Sequence, residues 1–114
     1  MRASEECYPC LKRLAEQASS LAASEADLKR SIEEKCFQLL DRRFSLEIVP
    51  VEIANEMHRI ARSLSGNPDP YKVFKKKEIE AARKLYEVAR ARAGGSLRAC
   101  FEFAVLGNTI DFFR

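Results

Sequence analysis

The sequence lacks any long apolar run, since no stretch of its 114 residues approaches the roughly 20 that a membrane-spanning helix needs. The N-terminal segment Met1-Arg2-Ala3-Ser4-Glu5-Glu6 is polar and acidic, where a signal peptide needs an apolar stretch. An excess of charge is also lacking, because 20 basic and 17 acidic residues leave a net charge of +3 and the signs alternate along most segments. We therefore expect a cytoplasmic protein that binds neither a membrane nor nucleic acid.

Groups that carry chemistry are few. The single histidine, His58, lies between Met57 and Arg59 with no cysteine near it in the sequence. It is either a general base or a boundary residue with one ring nitrogen satisfied. The sequence therefore presents no complete catalytic set of any standard mechanism.

The four cysteines include one CxxC motif, Cys7-Tyr8-Pro9-Cys10, and no second one. In a reducing cytosol they are expected to be thiols or metal ligands rather than disulfides. A structural zinc site needs four ligands, and Cys36 and Cys100 fall on apolar helical faces that favour a place in the core. Three interpretations of Cys7 and Cys10 stay open: structural packing, part of a metal site, or a redox pair.

Apolar residues recur at three- and four-residue spacing along most of the chain, which predicts five helices. Ser24 and Asp27 resemble a capping box at the start of the second helix. Pro50 is suited to open the third helix, and Gly66 is suited to end it. The predicted ranges are 7–21, 24–43, 50–65, 70–92 and 97–106.

The last two helices follow the clearest break in the sequence, at 66–70, where Asp69 and Pro70 form an N-cap and first-turn pair. Gly94-Gly95 separates them, and Ser96 caps the fifth helix. Only 45–49 suggests a strand. We therefore predict an all-α fold, a compact bundle of about five helices in a single domain over residues 1–114. The expected buried face of the fourth helix comprises Tyr71, Phe74, Ala81, Ala82, Leu85, Tyr86 and Ala89. The fifth helix is strongly apolar through Leu97, Cys100, Phe101, Phe103, Ala104, Val105 and Leu106.

A polar GNxxD segment, 107–111, follows the apolar fifth helix directly. Asn108 and Asp111 are three residues apart, so one helical turn can point both side chains the same way. Asn108 would then contact a sugar or phosphate oxygen, and Asp111 would orient it or approach a metal ion. The alternative is ordinary cap chemistry, in which Asn108 ends one helix and Asp111 begins another turn.

Taken in order, these pieces resemble the helical N-terminal region of the damage-control phosphatases, a family long labelled domain of unknown function 89. The similarity spans nearly the whole chain, and the CxxC is similar to the branch common in archaea and bacteria. The motifs that carry the resemblance are Cys7-x-x-Cys10-Leu11, Met57-His58-Arg59-Ile60, Gly66-Asn67-x-Asp69-Pro70-Tyr71-x-x-x-Lys75, Ala81-Ala82-x-x-Leu85-Tyr86 and Gly107-Asn108-x-x-Asp111-Phe112.

The resemblance implies a metal-dependent phosphatase that hydrolyses phosphorylated sugars and related damaged metabolites with magnesium, manganese, cobalt or nickel. In the family the ion is held largely by an Asp-Asn pair and a further Asp in a downstream α/β domain, and these 114 residues contain no such segment. We therefore expect the chain to contribute substrate positioning rather than the metal cradle, and to be inactive alone.

Carried over by position, the resemblance implies that Asn108, Asp111 and Lys75 bind the substrate. The wall of the active site would be supported by Asp69, Tyr71, His58 and Arg59. The apolar end, 101–113, would bind the α/β domain or, in its absence, a second copy of the chain. The main alternative is a stand-alone helical interaction module, which would be homodimeric through the same end. A small metal or redox module built on Cys7 and Cys10 is a third alternative.

Overall fold

Helices occupy most of the chain, as the three- and four-residue apolar spacing predicts. The computed structural model describes residues 2–107, and within that range it contains no strand. The prediction of an all-α fold with five helices is therefore confirmed, and residues 45–49 form turns instead of a strand. The helices are α1 Cys7–Ala22, α2 Ala26–Arg43, α3 Pro50–Ser65, α4 Lys72–Ala93 and α5 Leu97–Gly107.

The helices divide between two compact units, with the boundary between Tyr71 and Lys72. The first unit contains α1, α2 and α3, each of which packs against the other two. The second contains α4 and α5, which pack against each other. The extent of a single domain over 1–114 stays a prediction. None of the described helices is long and apolar enough to cross a membrane.

The core of the first unit is built from one apolar stripe on each of its three helices, which is the pattern of a small bundle. Ile32, Ile53 and Met57 are completely buried at its centre. Cys36 is buried among them, so its predicted place in the core is confirmed. The polar Ser19 is buried as well, and its hydroxyl bonds to Glu33 of α2 at 2.7 Å and to the carbonyl oxygen of Glu16 at 2.9 Å.

Two of the predicted helix boundaries in the first unit are confirmed. Pro50 is the first residue of α3, where its missing N–H costs no helical hydrogen bond. Gly66 ends α3 with a φ of 66°, a left-handed conformation that residues with a side chain rarely adopt. The capping box is wrong, because α2 begins at Ala26 and Glu25 occupies the N-cap position without a side-chain bond. Ser24 lies one residue too early to cap the helix.

Helix α4 begins later than predicted, at Lys72, and so Asp69 and Pro70 lie in the preceding loop and do not form its N-cap and first turn. The hydroxyl of Ser96 accepts a bond from the N–H of Ala99 at 3.4 Å, so its predicted role at the start of α5 is confirmed.

The predicted buried face of α4 is wrong for most of its residues, and Leu85 is 63% exposed. Cys100 of α5 is exposed too, so its predicted place in the core is wrong. When two helices of a unit pack only against each other, each helix buries one stripe of its surface. The remaining apolar side chains of both helices then stay exposed. The large apolar side chains that are exposed on α4 and α5 are Val73, Ile79, Leu85, Tyr86, Val88, Leu97, Phe101, Val105 and Leu106.

Candidate functional site

Two of the predicted site residues lie against each other in the first unit. His58 is half-buried on α3, and Tyr71 follows the loop that leaves that helix. Their rings meet edge to face, with centroids 5.5 Å apart and an interplanar angle of 78°. This is a favoured arrangement for aromatic rings, and it holds the end of the loop against α3.

The loop between α3 and Tyr71 is shaped by side-chain bonds to its own backbone. The hydroxyl of Ser65 donates to the carbonyl oxygen of Ala61 at 2.7 Å and accepts from the N–H of Asn67 at 3.1 Å. The Asn67 side-chain oxygen accepts from the N–H of Asp69, also at 3.1 Å. Such turns let a polar side chain replace a helical backbone partner. They place Asp69 in the loop just before Tyr71.

Burial keeps this pair uncharged near neutral pH. Desolvation, with a smaller effect of the charge on Arg62, lowers the pKa of His58 below 6.5. Burial likewise raises the pKa of the Tyr71 phenol above 10.0. The phenol oxygen is buried and has no hydrogen-bond partner among the described residues. The pair therefore carries no charge to attract a ligand, and its ring contact holds the neighbouring loop in place.

Arg59 and Lys75, the other predicted residues within 2–107, are both exposed. Arg59 lies on α3 beside a shallow groove of about 490 Å³ between α2 and α3. Lys75 belongs to α4 in the second unit. Asn108 and Asp111, the predicted substrate-binding residues at the C-terminal end, lie outside the described residues.

The groove beside Arg59 contains residues that the sequence interpretation missed. Lys35 and Arg42 of α2 line it together with Arg59 of α3, and the apolar Leu39 and Ile60 form its floor. The sequence contained one signal for these groove residues. Lys35, Leu39 and Arg42 are four and then three residues apart, so they share one helix face. Residue spacing on α2 alone does not reveal which helix lies opposite.

The CxxC motif lies at the start of α1, with Cys7 and Cys10 both partly buried and unbridged. Ser4 donates its backbone N–H to the Cys7 sulfur at 3.3 Å, and its hydroxyl lies 3.5 Å from the same atom. These contacts with Ser4 lower the pKa of the Cys7 thiol below 9.0. Cys36, in contrast, has a pKa raised to about 11 by burial.

No group of three histidine, cysteine, aspartate or glutamate side chains within residues 2–107 is placed to hold a metal ion. A divalent cation such as magnesium needs several oxygen ligands around it, and a structural zinc ion needs four ligands. The described part of the chain therefore does not fit either ion on its own. A metal site at Cys7 and Cys10 stays a prediction.

Comparison with known proteins finds similarity over nearly the whole chain. The chain is 23% identical over 112 residues to the damage-control phosphatase PH1575 of Pyrococcus horikoshii, an alignment that covers 98% of this chain and 39% of that protein. The chain thus spans about 39% of the length of this curated relative. No solved structure matches it. The family model described as the damage-control phosphatase ARMT1-like domain matches residues 3–113, and the chain therefore belongs to that family.

Proposed function

We propose that this chain is the helical N-terminal part of a metal-dependent damage-control phosphatase and that it positions a phosphorylated small metabolite. The observation that carries the proposal is the family match over residues 3–113, which makes this all-helical segment correspond to 39% of a damage-control phosphatase. The remaining part of such an enzyme supplies the metal cradle, with magnesium, manganese, cobalt or nickel as the ion. The chain alone is inactive. The free cysteines support a reducing compartment, the cytoplasm.

The chemistry of the described residues supports a positioning role. Phosphoryl transfer depends on a metal ion and on cationic groups that stabilise the charge of the transition state. The His58 and Tyr71 pair is uncharged and partly buried, so it supplies shape but no Lewis acid. When bound, the metal ion would polarise the phosphoryl group. Lys75 offers a cationic donor on α4, and Asn108 and Asp111 complete the proposed substrate contacts.

His58 and Tyr71 support the wall of the site by holding the loop that carries Asp69, and Arg59 extends that support along α3. The backbone N–H of Asn67 donates to Ser65 and that of Asp69 donates to the Asn67 side chain, and these bonds give the loop a defined shape. A loop that is fixed in this way can place a ligand-binding group without a large entropic cost on binding.

The exposed apolar side chains of α4 and α5 form the surface that binds the rest of the enzyme in this proposal. Leu85 and Tyr86 are 63% and 61% exposed on α4, and Leu97 is 73% exposed on α5. We take the many large apolar side chains that are exposed on these two helices to mark an interaction site. The unmatched 61% of the curated relative, the complement of the 39% that the chain covers, is the expected occupant.

A split-enzyme experiment tests the proposal. The unmatched segment of the P. horikoshii phosphatase is purified and mixed either with this chain or with its own matching helical segment, and hydrolysis of p-nitrophenyl phosphate is measured with manganese. We expect chelator-sensitive turnover in both mixtures and in neither component alone. Turnover in the mixture with this chain should decrease when the chain carries K75A.

The matched control is K12A, which removes an equally charged residue on α1, outside the proposed site. Turnover with the relative's own helical segment but none with this chain would count against a shared binding surface. A chain that forms a stable dimer in light scattering and does not associate with the unmatched segment would instead support a stand-alone interaction module.

A further inference from the structure

Positively charged side chains lie along the groove between α2 and α3, and the described fold gives them no ion-pair partners. Lys35 and Arg42 on α2 and Arg59 on α3 line one groove of about 490 Å³. All three residues are exposed, and none of them takes part in an ion pair within residues 2–107. Like charges that face each other across a helix seam destabilise it slightly unless an anion lies between them.

The carboxylate that lines the groove already takes part in an ion pair. Glu56 is the single acidic residue among those that line the groove, and it forms an ion pair with Arg43, which does not line the groove. Arg43 thus neutralises Glu56 and leaves the charge of the other three side chains uncompensated. Gln38 adds an amide group to the same rim. The groove therefore offers cationic and neutral hydrogen-bond donors to an anion.

The floor of the groove is apolar and belongs to the packed core or lies against it. Leu39 belongs to the buried core, and the partly buried Ile60 packs against that core. A ligand with a carbon skeleton can cover these side chains while its charged group reaches the rim, which is how small-molecule sites combine apolar lining with a few polar groups. Guanidinium groups suit phosphoryl oxygens because their N–H groups can bond two oxygens at once.

We propose that the groove between α2 and α3 binds a phosphorylated small molecule, with its phosphoryl group among Lys35, Arg42 and Arg59 and its carbon skeleton over Leu39 and Ile60. The binding site lies wholly in the first unit and uses no residue outside 2–107. It requires neither catalysis nor the rest of the enzyme, so its test is independent of the phosphatase proposal.

The experiment is an NMR titration of the ¹⁵N-labelled 114-residue chain at constant ionic strength, with inorganic phosphate, a sugar phosphate and polyglutamate as separate probes. We expect saturable shifts of the backbone amides that line the groove, and tighter binding of the sugar phosphate than of inorganic phosphate. In the double variant R42Q/R59Q the affinity for the sugar phosphate should fall by about tenfold or more, since it loses two charge-assisted contacts.

The matched control is R83Q/R90Q, which removes two positive charges from α4 and should leave the affinity unchanged. Far-UV circular dichroism checks that each variant keeps its helices, and R59Q is compared with R83Q if a double variant loses them. Three results would each overturn the proposal. The first is that the shifts grow linearly at all cationic residues, and the second is that both double variants lose affinity equally. The third is that polyglutamate saturates the groove although phosphate does not bind.

Discussion

The ring of Tyr71 packs edge-on against the imidazole of His58, with the centroids 5.5 Å apart, and this contact fixes the end of the α3 loop to the helix that it leaves. Both residues belong to motifs of the family resemblance, MHRI and DPYxxxK, which are separated by more than two helical turns in sequence. Their contact gives the resemblance a physical basis, because the two motifs stabilise one local structure.

The Tyr71 hydroxyl provides a first test of this local structure. Its oxygen is buried without a partner among the described residues, and an unsatisfied buried hydroxyl costs about 1–3 kcal/mol. Tyr71→Phe keeps the ring contact and removes the hydroxyl, so the free energy of unfolding in urea should stay the same or rise by up to about 1 kcal/mol. Tyr71→Ala, the control that removes the ring as well, should lower it. A clear loss of stability in the phenylalanine variant would show that the hydroxyl has a partner.

The pH dependence of stability tests the burial of His58. Its pKa in the folded state is below 6.5, the value expected in the unfolded chain, so the folded state favours the neutral ring. This contribution to stability is present above about pH 6.5 and is lost as the pH falls through the lower, folded pKa. Urea unfolding at about pH 7.5 and pH 5 should show a smaller decrease for His58→Gln than for the parent chain. Equal decreases would mean that His58 titrates as a solvated side chain.

The two units should differ sharply in their response to truncation of apolar side chains. Met57→Ala removes a fully buried side chain from the core and should cost about 2–5 kcal/mol of unfolding free energy. Leu85→Ala on α4 removes a mostly exposed one and should cost about 0.5 kcal/mol or less. Denaturant unfolding measures both. A large cost for the second variant would place Leu85 in a core instead of on an open surface.

Cysteine reactivity follows from the surroundings of each thiol. Cys7 accepts bonds from Ser4 and has a lowered pKa, whereas the buried Cys36 has a pKa of about 11. Alkylation by iodoacetamide near neutral pH, followed by mass spectrometry, should therefore modify Cys7 well before Cys36. Ser4→Ala should slow the reaction of Cys7 and leave that of the exposed Cys100 unchanged. Faster modification of Cys36 than of Cys7 would contradict both assignments.

Helix positions could be predicted closely because they depend on local signals. Pro50 begins α3 and Gly66 ends it as expected, since a fixed φ and a left-handed φ are properties of single residues. The start of α2 was harder, because Ser24 has cap chemistry but lies one residue before the actual N-cap position. Helix boundaries depend on the packing of the first turn as well as on the cap residue.

Burial on α4 and α5 could not be predicted from periodicity. The four-residue spacing of Ala81, Leu85 and Ala89 identifies a helix face, but it does not say whether that face is covered by the same chain or by another. The cationic groove was missed for a related reason. Arg59 was identified through its motif, whereas its neighbours Lys35 and Arg42 come from a different helix and become neighbours only when α2 packs against α3.

In the proposed function, this helical chain positions substrate and depends on another polypeptide segment for its metal cradle. The most direct measurement is the hydrolysis of p-nitrophenyl phosphate and of a sugar phosphate by the purified 114-residue chain, assayed with magnesium, manganese, cobalt and nickel and again after addition of a chelator. The P. horikoshii damage-control phosphatase serves as the full-length reference. We predict no turnover above buffer by the chain alone, and chelator-sensitive turnover by the chain alone would contradict the claim.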